Sequence, residues 1–396
     1  MRLYYDDAYL MDFTARIAAT VERGRRLGVV LDRTAFYPTS GGQPHDTGRL
    51  DQSRVVEVEE DQEGRVVHWL EGPLPEGEVQ GHVDWERRFD HMQQHTGQHI
   101  LSQACWQVLK GETIGFHLGD EESTIDLDIP HLDLQTVEPA EALANQVVWQ
   151  DRPVIAQFVS EAELGSLPLR KPPTVRGEVR VVQVEEFDFS ACGGTHVRRT
   201  GEVGSIVVTR TEPRGQETRV HFLCGARAAR DHRLRVRLGS ALTAALTVGL
   251  EELPQAVARL QGELRAARKE AREAQERLLD LETQALLARA SALGGWKVVR
   301  HVFPEGQGQQ MKWMAQHLTA GPSVVALLGM EGARGQLAFA CSEDVTMDMA
   351  ALLRVATETV GGGGGGGPRL AQGGGFPGDR LSQALEAAWK ALQSPH

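Results

Sequence analysis

The sequence predicts a multidomain α+β chain. It divides into a β-rich, barrel-like segment over residues 1–88, an α+β region over 89–240, a helical coiled-coil linker over 241–294 and an α/β region over 295–396. Three observations carry this reading. The 396 residues exceed one ordinary domain. The first 88 residues hold short apolar runs cut by Gly, Asp and Pro, the punctuation of strands and turns. Residues 253–288 carry a sustained heptad pattern, and beyond it strand-like and helix-like runs alternate.

In the first region, residues 29–31, 55–58, 66–70 and 82–85 read as strands. Between them, Phe36-Tyr37-Pro38-Thr39-Ser40-Gly41-Gly42-Gln43-Pro44 suits either a loop whose backbone approaches a ligand or a plain turn. Residues 89–110 read as a helix without proline. Residues 116–129 alternate as a strand or hairpin, 138–150 form a helix before Pro153, and 179–184, 206–208 and 220–224 are strands. Two apolar series then repeat every seven residues: Leu253, Leu260, Ala267, Ala274, Leu281, Ala288 and Val257, Leu264, Ala271, Leu278, Ala285. Pro254 suits the first turn of such a helix. The pattern fits a coiled coil, a long antiparallel helical hairpin, or one amphipathic helix on a core. Residues 296–302, 324–328 and 337–341 read as strands and 347–360 and 381–392 as helices, with a glycine-rich stretch, 361–375, between the helices.

Composition is globular, with 24% charged and 41% hydrophobic residues. No apolar run reaches the length of a membrane helix, and the acidic start MRLYYDDAYLMDF does not suit a signal peptide. The four scattered cysteines point to a reducing compartment. A cytoplasmic protein without a membrane partner is expected. The net charge of −12 argues against a general nucleic-acid binder, yet residues 165–237 hold 14 Lys+Arg against 8 Asp+Glu. That block includes Arg170, Lys171, Arg176, Arg198, Arg199, Arg210, Arg214 and Arg219. It reads as a local nucleic-acid contact or as a solvated charged face.

The main chemical signal is a pair of short motifs. In His91-Met92-Gln93-Gln94-His95-Thr96-Gly97-Gln98-His99, histidines recur every four residues, so two neighbours share one helix face and can grip one ion. All three cannot readily serve the same ion. In Cys192-Gly193-Gly194-Thr195-His196, a thiolate and an imidazole flank two glycines and can wrap round a metal. Together the motifs supply three imidazoles and one thiolate, a set suited to tetrahedral Zn²⁺. The peptidase pattern HExxH is absent, because Thr96 stands where its glutamate would be.

The combination of FYPTSGGQ, HTGQH, CGGTH and GGGGGGGPRLAQGGG, in that order over nearly the whole chain, resembles the editing region of alanyl-tRNA synthetases. In particular it resembles the freestanding alanyl-tRNA editing proteins of the long AlaX type. The resemblance implies His95, His99, Cys192 and His196 as ligands of one Zn²⁺ and leaves His91 outside. It implies a C-terminal DHH-associated domain, similar to one attached to a family of phosphoesterases. That domain is expected to bind the tRNA outer corner through Arg369, Gln372, Gly373, Gly374 and neighbouring glycines, and to support a homodimer together with the coiled coil. A flexible glycine linker is the alternative there.

The implied reaction is hydrolysis of the ester joining serine, and also glycine, to tRNA(Ala). It would act in trans and without aminoacylation, since the chain starts at the editing segment. An alanine pocket cannot exclude glycine or strongly reject an added hydroxyl, so a second hydrolytic site supplies the discrimination. Thr34 and Gln43 are the candidates for contacting the serine hydroxyl, and His117, on the strand after the ligand helix, for bonding substrate or water. Arg198, Arg199, Arg210 and Arg214 flank CGGTH, where the acceptor stem would lie. The zinc would activate water, polarise the ester, or order the site. Two rivals stand beside this reading: a nucleic-acid phosphoesterase, whose Asp-His-His triplet is missing because Met92 follows Asp90-His91, and a non-catalytic tRNA-binding module.

Overall fold

The computed structural model describes residues 1–394 apart from 25, 73–76, 166 and 171–176. It divides into two compact units, Met1–Leu250 and Glu251–His396. The basic residues Lys171 and Arg176 lie outside the described residues.

The first unit opens with six strands: β1 (Asp12–Arg23), β2 (Arg26–Leu31), β3 (Gly48–Leu50), β4 (Ser53–Glu60), β5 (Val66–Glu71) and β6 (Glu78–Val83). They close into an antiparallel barrel in the order β1-β2-β5-β4-β3-β6. Alternating residues point inward, and Phe13, Val29, Leu31, Phe36, Leu50, Val55, Val58 and Val79 fill the interior, leaving a packed core rather than a channel. The expected strand at 82–85 is the end of β6, and Trp85 already begins the next helix.

That helix, α1 (Trp85–Leu109), follows β6 after the single residue Asp84. It is the most buried helix of the unit, packed against the helix α2 (Leu134–Trp149) and a four-stranded antiparallel sheet. The sheet comprises β7 (Thr113–Leu118), β8 (Ser123–Leu127) and two later strands. Next come α2 (Leu134–Trp149), β9 (Val154–Val159), the single-turn α3 (Glu161–Leu164), β10 (Val179–Val184) and β11 (Asp188–Ala191). Strands β12 (Ile206–Arg214) and β13 (Glu217–Cys224) complete the four-stranded sheet in the order β12-β13-β8-β7. Met92, Ile100, Leu101 and Ala104 of α1 and Val137, Ala140 and Val147 of α2 pack with Leu118, Ile125, Val220 and Phe222 of that sheet. Asp133 caps α2, its carboxylate accepting the Thr136 N–H at 2.8 Å. Strands β11, β10 and β9 form a separate antiparallel sheet, whose last strand ends one residue before Cys192. Helix α4 (Gly225–Leu246) leaves directly from β13.

The second unit begins with α5 (Leu253–Ala288), which matches the heptad segment residue for residue. Leu279 and Thr283 are buried, whereas the seam residues Val257, Leu260, Leu264, Leu278 and Leu281 are exposed. A mixed six-stranded sheet follows: β14 (Ser291–Leu293), β15 (Trp296–Phe303), β16 (Val324–Met330), β17 (Arg334–Cys341), β18 (Gly363–Gly366) and β19 (Leu370–Pro377), ordered β14-β15-β16-β17-β19-β18. Only β15 and β16 run parallel. Helix α6 (Gly308–Leu318) packs with the end of α5 on one face, and α7 (Met349–Val360) and α8 (Leu381–Gln393) cover the other.

The glycine run is therefore a strand and not a flexible linker. Gly363, Gly364, Gly365 and Gly366 pair with Gly374, Gly373, Gln372 and Ala371. A side chain at Gly364 would strike Leu353 of α7 and the backbone of β19, so glycine there lets the helix lie against the sheet edge.

Barrel and ligand helix are joined by one buried ion pair. Arg88 and Asp46 have side chains 1% and 0% exposed and meet at 2.5 Å. The remaining Arg88 donors reach the carbonyls of Ala8 at 2.6 Å and Ala35 at 2.5 Å, and Asp46 also accepts the Tyr37 N–H at 2.6 Å. Removing one partner strands a buried charge. Asp46→Ala is expected to destabilise the first unit by about 3–5 kcal/mol, read as a lower urea midpoint. A loss below about 1 kcal/mol, the range of an exposed pair, would contradict this account.

Candidate metal centre and adjoining cavity

His95 and His99 stand one helical turn apart on α1. Cys192 and His196 come from the loop that follows β11. The structure brings all four together, with one ligand atom from each lying within 4.8 Å of the others. Cys192 Sγ is 3.3 Å from His95 Nε2 and 3.3 Å from His196 Nε2. The three imidazoles and the half-buried thiol form a donor set that can hold a metal ion, and the borderline-soft composition fits Zn²⁺.

What surrounds the donors strengthens the fit. Each imidazole uses Nδ1 on an outer partner, which leaves Nε2 for the cluster. His95 Nδ1 donates to Gln43 Oε1 at 2.8 Å. The Gln43 amide is itself oriented, because its Oε1 accepts the Thr195 N–H at 3.1 Å and its Nε2 donates to Thr195 Oγ1 at 2.8 Å. His99 Nδ1 donates to Asp188 Oδ2 at 3.2 Å, and Asp188 also receives the Ser190 hydroxyl at 2.8 Å and lies 3.3 Å from Arg170 Nε. His196 Nδ1 is 3.1 Å from Thr96 Oγ1, which accepts the Val197 N–H. Outer partners of this kind fix the tautomer and aim of metal-binding histidines.

Electrostatics point the same way. Burial raises the pKa of a thiol, yet the neighbouring imidazoles of His95 and His196 bring Cys192 well below its ordinary value, toward the thiolate a metal needs. Burial lowers that of His196 to about 3, which keeps it neutral. At His99 burial also lowers the value, but Asp188 and Cys192 outweigh it and raise it to about 9. A metal entering this site displaces that proton. His91, one turn before His95, is buried and stays outside the cluster.

The CGGTH loop is held from β10. The Arg180 guanidinium donates to the carbonyls of Cys192 at 2.9 Å and Gly194 at 2.8 Å. Gly194 lies flat against the His95 ring, where any Cβ would collide with the imidazole. Gly194 thus lets the loop touch the ligand helix.

A cavity of about 520 Å³ opens beside the cluster and reaches His99 and Cys192. Tyr5, Tyr37, Phe116 and Phe158 give it aromatic walls, and Gln98, Arg170 and Arg180 line it with polar groups.

The other expected residues sort clearly. Gln43 is at the cluster, as a partner of His95. Thr34, expected beside the substrate, lies inside the barrel. Its hydroxyl bonds His68 Nε2 at 2.8 Å and accepts the Phe36 N–H at 3.0 Å. His117 is exposed on β7. Its neighbour Phe116 takes the cluster side, with a ring centroid 5.7 Å from that of His95, and adjacent residues of a strand face opposite ways. The basic residues near CGGTH are ion-paired: Arg198 with Asp7 at 3.0 Å, Arg199 with Asp151 at 2.6 Å, Arg210 with Glu122 at 2.7 Å, Arg214 with Glu212 at 3.3 Å and Arg219 with Asp126 at 2.7 Å. In the second unit Arg369 pairs with Glu343. Gln372, Gly373 and Gly374 sit in β19 between β17 and β18. Sequence reasoning missed Asp188, Thr96 and Arg180. The signal for Asp188 was an acid four residues before Cys192.

A family model described as "Threonyl and Alanyl tRNA synthetase second additional domain" matches residues 179–220, which contain Asp188, Cys192 and His196. Another, "tRNA synthetases class II (A)", matches residues 4–87, the barrel. The alanyl-tRNA editing protein AlaX-L of Pyrococcus horikoshii is 32% identical over 94% of this chain and 94% of its own length. The chain belongs to the alanyl-tRNA editing proteins. This editing-family chain is also 33% identical to the alanine–tRNA ligase of Pyrococcus abyssi, over 98% of its own length but 43% of the ligase. Among solved structures, the C-Ala domain of Aquifex aeolicus alanyl-tRNA synthetase aligns with 26% of this editing-family chain and 98% of its own, at 22% identity and a TM-score of 0.25.

If the outer partners aim the donors, Asp188→Ala and Gln43→Leu each weaken metal affinity by about 10- to 100-fold. Competition against a chromophoric chelator measures this. Affinities equal to the parent in both variants would show that Nδ1 pairing plays no part.

Proposed function

We propose that the chain is an aminoacyl-tRNA deacylase that hydrolyses the ester of mischarged tRNA(Ala), serine foremost and glycine second, with Zn²⁺ at His95, His99, Cys192 and His196. The observation that carries this reading is the juxtaposition of the four donors with a cavity sized for a small ligand, with Cys192 and His196 inside the segment matched by the synthetase additional-domain model. Zn²⁺ held by these four residues would supply Lewis acidity beside that cavity.

The chain's own residues account for the rest. Gln43, Asp188 and Thr96 aim the imidazoles, and Arg180 holds the loop that carries the thiolate. The aromatic walls exclude water around the ester and suit the terminal adenosine face, while Arg180, which has no carboxylate partner among the described residues, sets a positive field for the adjoining phosphate. Thr34 acts at one remove. Through the Phe36 N–H it shapes the segment that places Tyr37 in the cavity wall. The serine hydroxyl then falls to polar lining such as Gln98.

We also propose that the exposed Val257, Leu260, Leu264, Leu278 and Leu281 pair α5 with its equivalent in a homodimer, since an apolar stripe of this length marks a contact surface.

Two measurements test these readings. His95→Ala and Cys192→Ala should each lower deacylation of Ser-tRNA(Ala) by about 10³-fold or more, with Ala-tRNA(Ala) spared by the parent protein. Full activity after exhaustive chelation would exclude the metal. For the dimer, sedimentation of the full chain should show a dimer that Leu260→Glu/Leu264→Glu converts to a monomer. A monomeric parent at all concentrations would reject the pairing.

A further inference from the structure

We propose that Arg230, Arg233 and Arg237 of α4 form the face that grips the RNA backbone. This rests on the deacylase reading above for the identity of the RNA, but not for the existence of the face.

The three arginines lie three, four and seven residues apart, so they fall within about 60° of one another around the helix, in a stripe about 10 Å long. All three are exposed, and none has an ion-pair partner among the described residues. Their neighbours differ. Arg235 on the same helix is held by Asp231 at 2.5 Å. Arg198, Arg199 and Arg210, closer in sequence to the CGGTH loop, are each engaged by an acid at 3.0 Å or less. A paired arginine must give up its carboxylate before it can take a phosphate. The α4 stripe offers uncompensated charge at once.

The stripe is also tied to the ligand helix. At the root of α4, Cys224 N–H donates to Gln94 Oε1 at 2.9 Å, and Gln94 Nε2 returns a bond to Cys224 O at 3.1 Å. One turn on, Arg227 is buried, with a forked pair to Asp90 at 2.5 to 3.0 Å and a bond to the Gly119 carbonyl at 2.6 Å. Gln94 and Asp90 belong to α1, and Gln94 is adjacent to His95. The root of the basic helix is therefore clamped to the helix that carries two of the metal donors. A polyanion lying along α4 is held in fixed relation to the cluster.

The protein's net charge of −12 adds a second reason. On an acidic molecule a polyanion is repelled except at a local positive stripe, which then orients as well as binds. A basic helix can also lie on an anionic membrane, and Leu234, Leu238 and Leu242 are exposed on α4. The clamp to α1 favours RNA, because it ties the stripe to a site of chemistry.

The test compares two variants that each remove two charges: Arg233→Gln/Arg237→Gln on α4 and Arg49→Gln/Arg54→Gln on the barrel, whose arginines are exposed and unpaired among the described residues. The probe is an unacylated hairpin RNA with the acceptor-stem sequence of tRNA(Ala), titrated at several salt concentrations. The α4 pair should lose about tenfold in affinity at low salt, and the log K against log salt slope should flatten by about 2. The barrel pair should stay within about twofold of the parent. On Ser-tRNA(Ala), the α4 pair should raise KM and leave kcat unchanged. Equal losses in both pairs, no loss on α4, or a parent that fails to bind the hairpin would overturn the proposal. So would loss of binding to phosphatidylserine vesicles with RNA affinity intact. A parent that binds the hairpin through α4 yet hydrolyses no charged RNA would refute the deacylase reading alone.

Discussion

A guanidinium with no access to water must have its donors met inside the protein, and Arg88 meets that constraint in a way that organises the first unit. Its fork takes Asp46, and its outer donors take the carbonyls of Ala8 and Ala35. Asp46 in turn holds the Tyr37 N–H. Four backbone segments, among them the start of α1, are thereby fixed to one planar group. Replacing such a pair with apolar residues can be neutral in stability, so its worth lies in geometry. Gln43 is three residues before Asp46, and His95 is seven residues, about two turns, after Arg88. The Gln43–His95 bond at 2.8 Å therefore depends on a register that Arg88 sets.

That dependence explains which parts of the site could be read from the chain. HTGQH and CGGTH were legible because metal donors at helical and loop spacing are a local pattern, and the four donors do converge. The outer partners were not legible. Gln43, Asp188 and Thr96 reach the imidazoles from a barrel loop, from the separate β11 sheet and from α1 itself, and nothing local in the sequence pairs them with a given histidine. Thr34 shows the opposite case. It stands close to the FYPTSGGQ segment in sequence, but it lies in the segment after β2 with its hydroxyl turned inward to His68. His117 is a matter of strand parity, since its neighbour Phe116 has the side that faces His95.

The fold divides along similar lines. Periodicity located α5 to the residue, because a 36-residue helix repeats its pattern many times. It could not say what covers the seam, which is exposed at Leu260, Leu264 and Leu278. Short strands such as β3 and β11 carry too few residues to show a period, and the all-glycine β18 carries no side-chain signal at all. Glycine composition argued for a loop. Pairing with β19 and the close approach of α7 made it a strand, so tertiary packing overrode propensity.

Charge is where composition misled most. A count over residues 165–237 finds an excess of arginine but cannot see that Arg198, Arg199, Arg210, Arg214 and Arg219 already face carboxylates. Four of those carboxylates, Asp7, Asp151, Glu122 and Asp126, come from residues ahead of the block, so the excess largely cancels where the two meet. Within residues 165–237, uncompensated charge among the described residues is carried by Arg230, Arg233 and Arg237 of α4, which leaves β13 with its root clamped at Asp90 and Gln94. A polyanion is then met by one stripe and turned away by most of the remainder. Under the deacylase reading, in which RNA is released after hydrolysis, that is a more useful arrangement than a uniformly basic surface, because binding through few phosphates stays weak enough to reverse at physiological salt.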